Sequence, residues 1–144
     1  MSYAIDANVL LYASDASSPF HRRAREFVEA CAQGSEVVCV AWTTAMTYLR
    51  ISTHAAIFES PLTPEEATAN LDALLGLPHV RMLAEEEGFW DVYREVTRDV
   101  VARGNLVPDA HLAALLRQHG VRRLYTNDSD FRKFRSLDVH NPFA

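Results

Sequence analysis

Along the chain, short runs of apolar residues alternate with longer stretches in which apolar positions recur every three or four residues. Residues 3–6 form a brief apolar run that ends on Asp6, the pattern of a buried strand with a carboxylate at its C-terminal end. Ser17, Ser18 and Pro19 break the chain, and residues 21–32 then place Ala24, Phe27, Val28 and Cys31 on one helical face. Gln33-Gly34-Ser35 ends that helix, and residues 37–40 read as a second buried strand. Residues 43–53 read as a helix carrying Met46, Leu49 and Arg50. A further helix starts at Thr63-Pro64-Glu65-Glu66, where Thr63 can cap and Glu66 can close a capping box. It runs to about Leu75 and stops at Gly76 and Pro78.

The second half repeats the alternation. Residues 79–83 suggest a third strand, and residues 85–103 a long helix with acidic residues first and Arg103-Gly104 last. Leu106-Val107-Pro108-Asp109 opens another helix, which buries Leu112, Leu115 and Leu116 and closes at His119-Gly120. Residues 123–126 are a fourth strand, and a last short strand lies around Val139. Strands separated by helices imply an α/β fold, a central parallel sheet of four to five strands covered on both faces. No repeat, low-complexity tract or linker divides residues 1–144, so one domain is expected.

Composition changes this picture little. Nearly half of the 144 residues are apolar, an ordinary globular balance. Asp6 and Asn8 interrupt the apolar start and no basic segment precedes it, so neither a signal peptide nor a membrane span is expected, and the protein reads as cytoplasmic. Cys31 and Cys39 match no zinc or redox spacing and read as buried free thiols. The net charge of −5 argues against a phosphate-rich partner, but the cations are clustered. Lys133 is the only lysine among 14 basic residues; arginines gather at Arg22, Arg23 and Arg25, at Arg122 and Arg123, and at Arg132 and Arg135. Arginine suits bidentate phosphate contacts, although for any one cluster a solvated helix face is the more ordinary reading.

Candidate chemistry gathers at strand ends. Ligands of open parallel sheets bind beyond the carboxyl ends of the strands. Asp6 and Asn8 end the first strand, Asp128 and Asp130 follow the fourth, and Asp109 opens the helix before it. Each aspartate also has a purely structural reading as a cap or a turn residue. Asp6 is the hardest to explain that way, because a carboxylate ending a buried strand is costly without a partner. Carboxylates held together repel unless a cation neutralises them, and an all-oxygen set suits magnesium or manganese. Spacing alone leaves the metal-site and capping readings both open. His111, two residues after Asp109, is expected to point away from it. Trp42 and Trp90 read as core or partner-contact residues; Tyr48 and Phe58 as core or as part of a partner groove.

Three segments carry a resemblance: Ile5-Asp6-Ala7-Asn8-Val9-Leu10-Leu11, the stretch Gly104-Asn105-Leu106-Val107-Pro108-Asp109-Ala110-His111-Leu112-Ala113, and Thr126-Asn127-Asp128-Ser129-Asp130-Phe131. Together they resemble the signature segments of PIN-domain VapC toxins. Leu49-Arg50-Ile51-Ser52-Thr53 and Asn141-Pro142-Phe143 are similar to the actinobacterial-type branch. The resemblance covers essentially the whole chain. It implies a three-layer α/β/α PIN-like domain and the toxin component of a type II toxin–antitoxin system. The implied activity is that of an endoribonuclease using magnesium (manganese being the alternative), neutralised by a VapB-type antitoxin and assembled as a homodimer. It further implies Asp6, Asp109 and Asp128 as metal ligands, Asp130 as an accessory neighbour, and Asn8 and Thr126 as orienting polar groups. One position departs: Thr47 stands where the family usually has a glutamate, which is expected to weaken metal affinity. Two other readings stay open. One is a degenerate PIN domain that only binds RNA or antitoxin. The other is a haloacid-dehalogenase-type phosphatase, for which Asn8 and Lys133 are poor matches.

Overall fold

The computed structural model describes residues 1–144. Five short strands alternate with helices in the order β1 (Ser2–Ile5), α1 (Ala7–Ser14), α2 (His21–Gln33), β2 (Val37–Ala41), α3 (Trp42–Ser52), α4 (Pro64–Leu75), β3 (Val80–Leu83), α5 (Phe89–Val96), α6 (Leu106–Gln118), β4 (Arg123–Tyr125) and β5 (Asp138–His140). A 3₁₀ turn spans Ser129–Lys133. The strands form one sheet in the order β3-β2-β1-β4-β5, and every pairing is parallel. Sheet order therefore reverses direction at β1, the place where α/β folds open a crevice.

Two apolar layers cover the faces. On one, Tyr3, Ile5, Val38 and Val40 pack with Leu10, Tyr48, Leu71 and Leu74 from the helices. On the other, Ala4, Cys39 and Leu124 pack with Leu112, Leu115, Leu116, Phe131 and Phe134. Adjacent strand residues feed opposite layers, as a pleated strand buried on both sides requires. This is the three-layer α/β/α architecture the alternation implies.

Local signals hold where the reasons are local. The capping box at α4 is complete: the Glu66 amide donates to Thr63 Oγ1 at 3.1 Å and the Thr63 amide donates to Glu66 Oε1 at 3.0 Å. Cys31 and Cys39 are buried free thiols. Two expectations change. The long helix expected over residues 85–103 is confined to Phe89–Val96: Gly88 takes a left-handed φ of 84° that no helix interior accommodates, which sets the start, and the helix ends at Thr97. Residues 85–87 instead lie against α6, where the Glu86 amide donates to Gln118 Oε1 at 2.9 Å. A helix not anticipated from periodicity, α1, follows β1 directly. Its sequence is apolar nearly all round, which hides the 3.6-residue period. No helix is long and apolar enough to cross a membrane.

Candidate metal centre at the carboxyl ends of the strands

Asp6 follows β1 directly and is the N-cap of α1, its Oδ1 accepting from the Ala7 amide at 2.8 Å. Its other oxygen, Oδ2, accepts from the Thr126 hydroxyl at 2.7 Å and from Asn8 Nδ2 at 3.3 Å. Thr126 is fully buried, and its hydroxyl is saturated: it donates to Asp6 and accepts from Asn8 Nδ2 at 3.2 Å and from the Asp128 amide at 3.0 Å. One hydroxyl thus ties the end of β1 to the turn after β4.

That turn is braced from the C-terminus. Asn8 Oδ1 accepts from the Asn127 amide at 3.3 Å, and Asn141 Nδ2 donates to Asn127 Oδ1 at 3.0 Å. Phe143 stacks against Phe20 and meets Tyr12 edge-on, which holds the terminal segment in place. Asp128 caps the 3₁₀ turn by accepting from the Asp130 amide at 2.9 Å. The capping reading of Asp128 is therefore correct as far as it goes. It occupies one carboxylate oxygen.

The tightest acidic group is Asp109, Asp128 and Asp130, with one carboxylate oxygen from each lying within 4.8 Å of the others. Asp6 lies beside this trio rather than inside it, and with Asp109 it lines a cleft of about 370 Å³. Burial raises the Asp109 carboxyl to about 6, and the negative charges of Asp128, Asp6 and Asp130 add to the effect. Burial also raises Asp6, against the lowering pull of the Thr126 hydroxyl and the Ala7 amide. Lys133 partly offsets the field, its Nζ 3.3 Å from Asp130 Oδ1.

This donor set fits a hard divalent cation. It consists of carboxylate oxygens converging from two chain segments, the start of α6 and the turn after β4, with Asp6 beside them, and its charge exceeds what Lys133 balances. No cysteine joins it, as a zinc site would favour. Thr47 lies on the cleft wall and brings a hydroxyl where a carboxylate would add charge.

His111 stays outside the acidic trio, in keeping with a helical spacing that points it away from Asp109. It lines the same cleft as Asp6 and Asp109, its Nε2 2.5 Å from Glu85 Oε1 and its ring edge-on to Phe89. The contact with Glu85 comes from a loop 26 residues away, so nothing in the local pattern announces it. Trp42 and Trp90 are exposed, which excludes the core reading for both, while Tyr48 and Phe58 are buried. Among the cations, Arg22 and Arg25 face Glu26 and Glu29 on α2, and Arg123 pairs with Glu36 over the rings of Tyr3 and Tyr125.

Comparison with known proteins gives a consistent result. A family profile described as "PIN domain" matches residues 3–137. Ribonuclease VapC48 of Mycobacterium tuberculosis is 44% identical over 144 residues, covering 100% of this chain and 99% of that one. Among solved structures, VapBC2 from Rickettsia felis, bound to a DNA fragment from its promoter, superposes with a TM-score of 0.69 at 16% identity, covering 98% of each chain. VapC20 of Mycobacterium tuberculosis, described as a Sarcin-Ricin loop cleaving toxin, superposes with a TM-score of 0.66 at 17% identity, covering 94% of this chain and 98% of that one.

Proposed function

The chain belongs to the PIN-domain family and within it to the VapC ribonucleases, and on that premise we propose that it is a metal-dependent endoribonuclease, the toxin of a toxin–antitoxin pair. The observation that carries this reading is the convergence of Asp109, Asp128 and Asp130 beside a cleft that Asp6 also lines. Asp6, Asp109 and Asp128 would hold magnesium or manganese, with Asp130 as an accessory carboxylate. When bound, such an ion supplies Lewis-acid stabilisation of charge on the phosphodiester and lowers the pKa of water.

The chain's own residues do the rest. Thr126 and Asn8 fix the Asp6 carboxylate in one orientation, leaving it no freedom to turn away from the cleft. Asp109 extends from the first turn of α6, where the helix dipole favours a negative charge over a proton, while burial and the neighbouring carboxylates work against that. Lys133 holds Asp130 at the edge of the cluster.

Residues 1–144 act as one domain in this reading, in the cytoplasm. A VapB-type antitoxin neutralises the toxin, and two copies assemble as a homodimer. The similar structure from Rickettsia felis is a VapBC2 complex bound to a DNA fragment from its promoter. Family membership leaves no role for the haloacid-dehalogenase-type phosphatase reading. A second reading, a PIN domain that binds RNA without cutting it, rests on Thr47 in the glutamate position.

Magnesium titration of the purified protein against total RNA separates the two, with Asp6→Asn as the control. Cleavage that rises with magnesium and disappears in Asp6→Asn, Asp6→Ala and Asp109→Ala is the expected result. RNA bound but intact at every magnesium concentration favours the non-cutting reading. Undiminished metal-dependent cleavage in both alanine variants would sink the site assignment.

A further inference from the structure

The cleft is acidic, and an RNA strand is a row of negative charges. Asp6, Asp109, Asp128 and Asp130 surround the place where a phosphate must come, and the one nearby lysine is already paired with Asp130. A strand therefore needs anchoring contacts beside the cleft that are not repelled by carboxylates. Helix α3 supplies candidates because it begins at the carboxyl end of β2, on the same rim as the cluster.

Thr43 and Thr47 of α3 line the cleft wall with Asp6 and Asp109. The neighbouring ridge of the same helix carries Trp42 and Met46, four residues apart and 46% and 50% exposed. Arg50 continues that ridge one turn on. It is exposed and takes part in none of the molecule's ion pairs. From Trp42 to Arg50 the ridge rises about 12 Å at 1.5 Å per residue. Val107, 41% exposed, lines the cleft next to Pro108.

Trp42 differs from the other tryptophan. The Trp90 ring is stacked on Tyr93, with centroids 5.5 Å apart and planes 9° from parallel, so one face is covered. Trp42 enters no such aromatic pair. An exposed indole with an adjoining thioether and an unpaired guanidinium, on the helix whose Thr43 and Thr47 line the cleft, has the chemistry of a base-and-phosphate subsite. We infer that the Trp42–Met46–Arg50 ridge of α3 binds single-stranded RNA flanking the cleavage point, Trp42 stacking on a base and Arg50 meeting a phosphate. This rests on the ribonuclease reading above, and it selects unpaired nucleotides, since only a splayed base exposes its face to an indole.

The two tryptophans make the inference directly measurable. In an Asp6→Asn, Trp90→Phe chain the RNA stays intact and Trp42 is the only indole. Adding a mixed-sequence single-stranded oligoribonucleotide with magnesium should quench its emission, and a duplex of the same sequence should quench far less. Trp42→Ala in the Asp6→Asn chain should weaken binding of the single strand roughly five- to hundred-fold, while Trp42→Phe retains most of it. Arg50→Ala should flatten the salt dependence of binding.

The opposite result is equally concrete. Unchanged Trp42 emission on adding RNA, with Trp42→Ala binding as tightly as its parent, overturns the inference. So does a Trp42→Ala chain that sediments as a monomer when its parent is a dimer and keeps full affinity for RNA, because the ridge then faces a second copy. A parallel cleavage assay on the unmodified chain separates the two levels. Absence of any RNA cleavage there removes the ribonuclease reading, whereas cleavage with an unresponsive Trp42 removes only this subsite.

Discussion

Replacing Asp109 with asparagine should remove activity and yet stabilise the metal-free protein. Burial, followed by the charges of Asp128, Asp6 and Asp130, lifts this carboxyl from 3.8 to about 6 in the folded chain. A folded-state value above the unfolded one means that the native protein holds more protons between those two limits. Stability due to Asp109 is therefore present below about pH 4 and falls as pH rises towards 6. At face value the shift corresponds to about 3 kcal/mol. Asp109 is only partly buried, and solvent screening reduces this to about 1 kcal/mol. Asparagine keeps the shape and discards the charge, so it should gain about 1 kcal/mol above pH 7 and almost nothing near pH 4. Urea unfolding followed by circular dichroism, in chelator at both pH values, measures the difference. Saturating magnesium should then reverse the ranking, since a cation binds the native carboxylates of the parent and not the amide. A destabilised asparagine variant with the same loss at both pH values in chelator would refute the claim that these carboxylates repel one another.

Thr126→Val should cost about 2 kcal/mol and abolish cleavage, because it leaves Asp6 Oδ2 and the Asp128 amide without their shared hydroxyl. Thr126→Ser keeps the hydroxyl, so activity should survive with about 1 kcal/mol lost; equal activity in the two variants argues against the bridging role. Ser52, fully buried, has a hydroxyl that finds no partner among protein groups, so Ser52→Ala should raise stability by up to about 1 kcal/mol, read as an increased Tm. Thr47→Glu should place a carboxylate on the cleft wall and lower the magnesium concentration that gives half-maximal cleavage; an unchanged titration would count against Thr47 as the weak corner.

Much of the candidate site was legible because it depends on chain order. Short apolar runs separated by helical periods lead to a parallel sheet, and a parallel sheet collects the residues that follow its strands at one edge. That is why Asp6 and Asp128 could be brought together on paper. The relative depth of the carboxylates was not legible. Asp6 and Asp130 are the same residue type, yet Asp130 joins the 4.8 Å trio while Asp6 is held beside it by Thr126, 120 residues away. Such long-range hydrogen bonds leave no trace in local periodicity.

The same division runs through the rest of the molecule. The sequence by itself determined the alternation of strands and helices, the capping box of α4 and the set of chemical groups available, since each depends on residues within a turn or two. Only the tertiary structure decided that residues 85–87 would lie against α6, that His111 would pair with Glu85, and that Trp42 would remain uncovered on the rim. These outcomes depend on which distant segments pack together, and a linear pattern records propensity and polarity but not proximity.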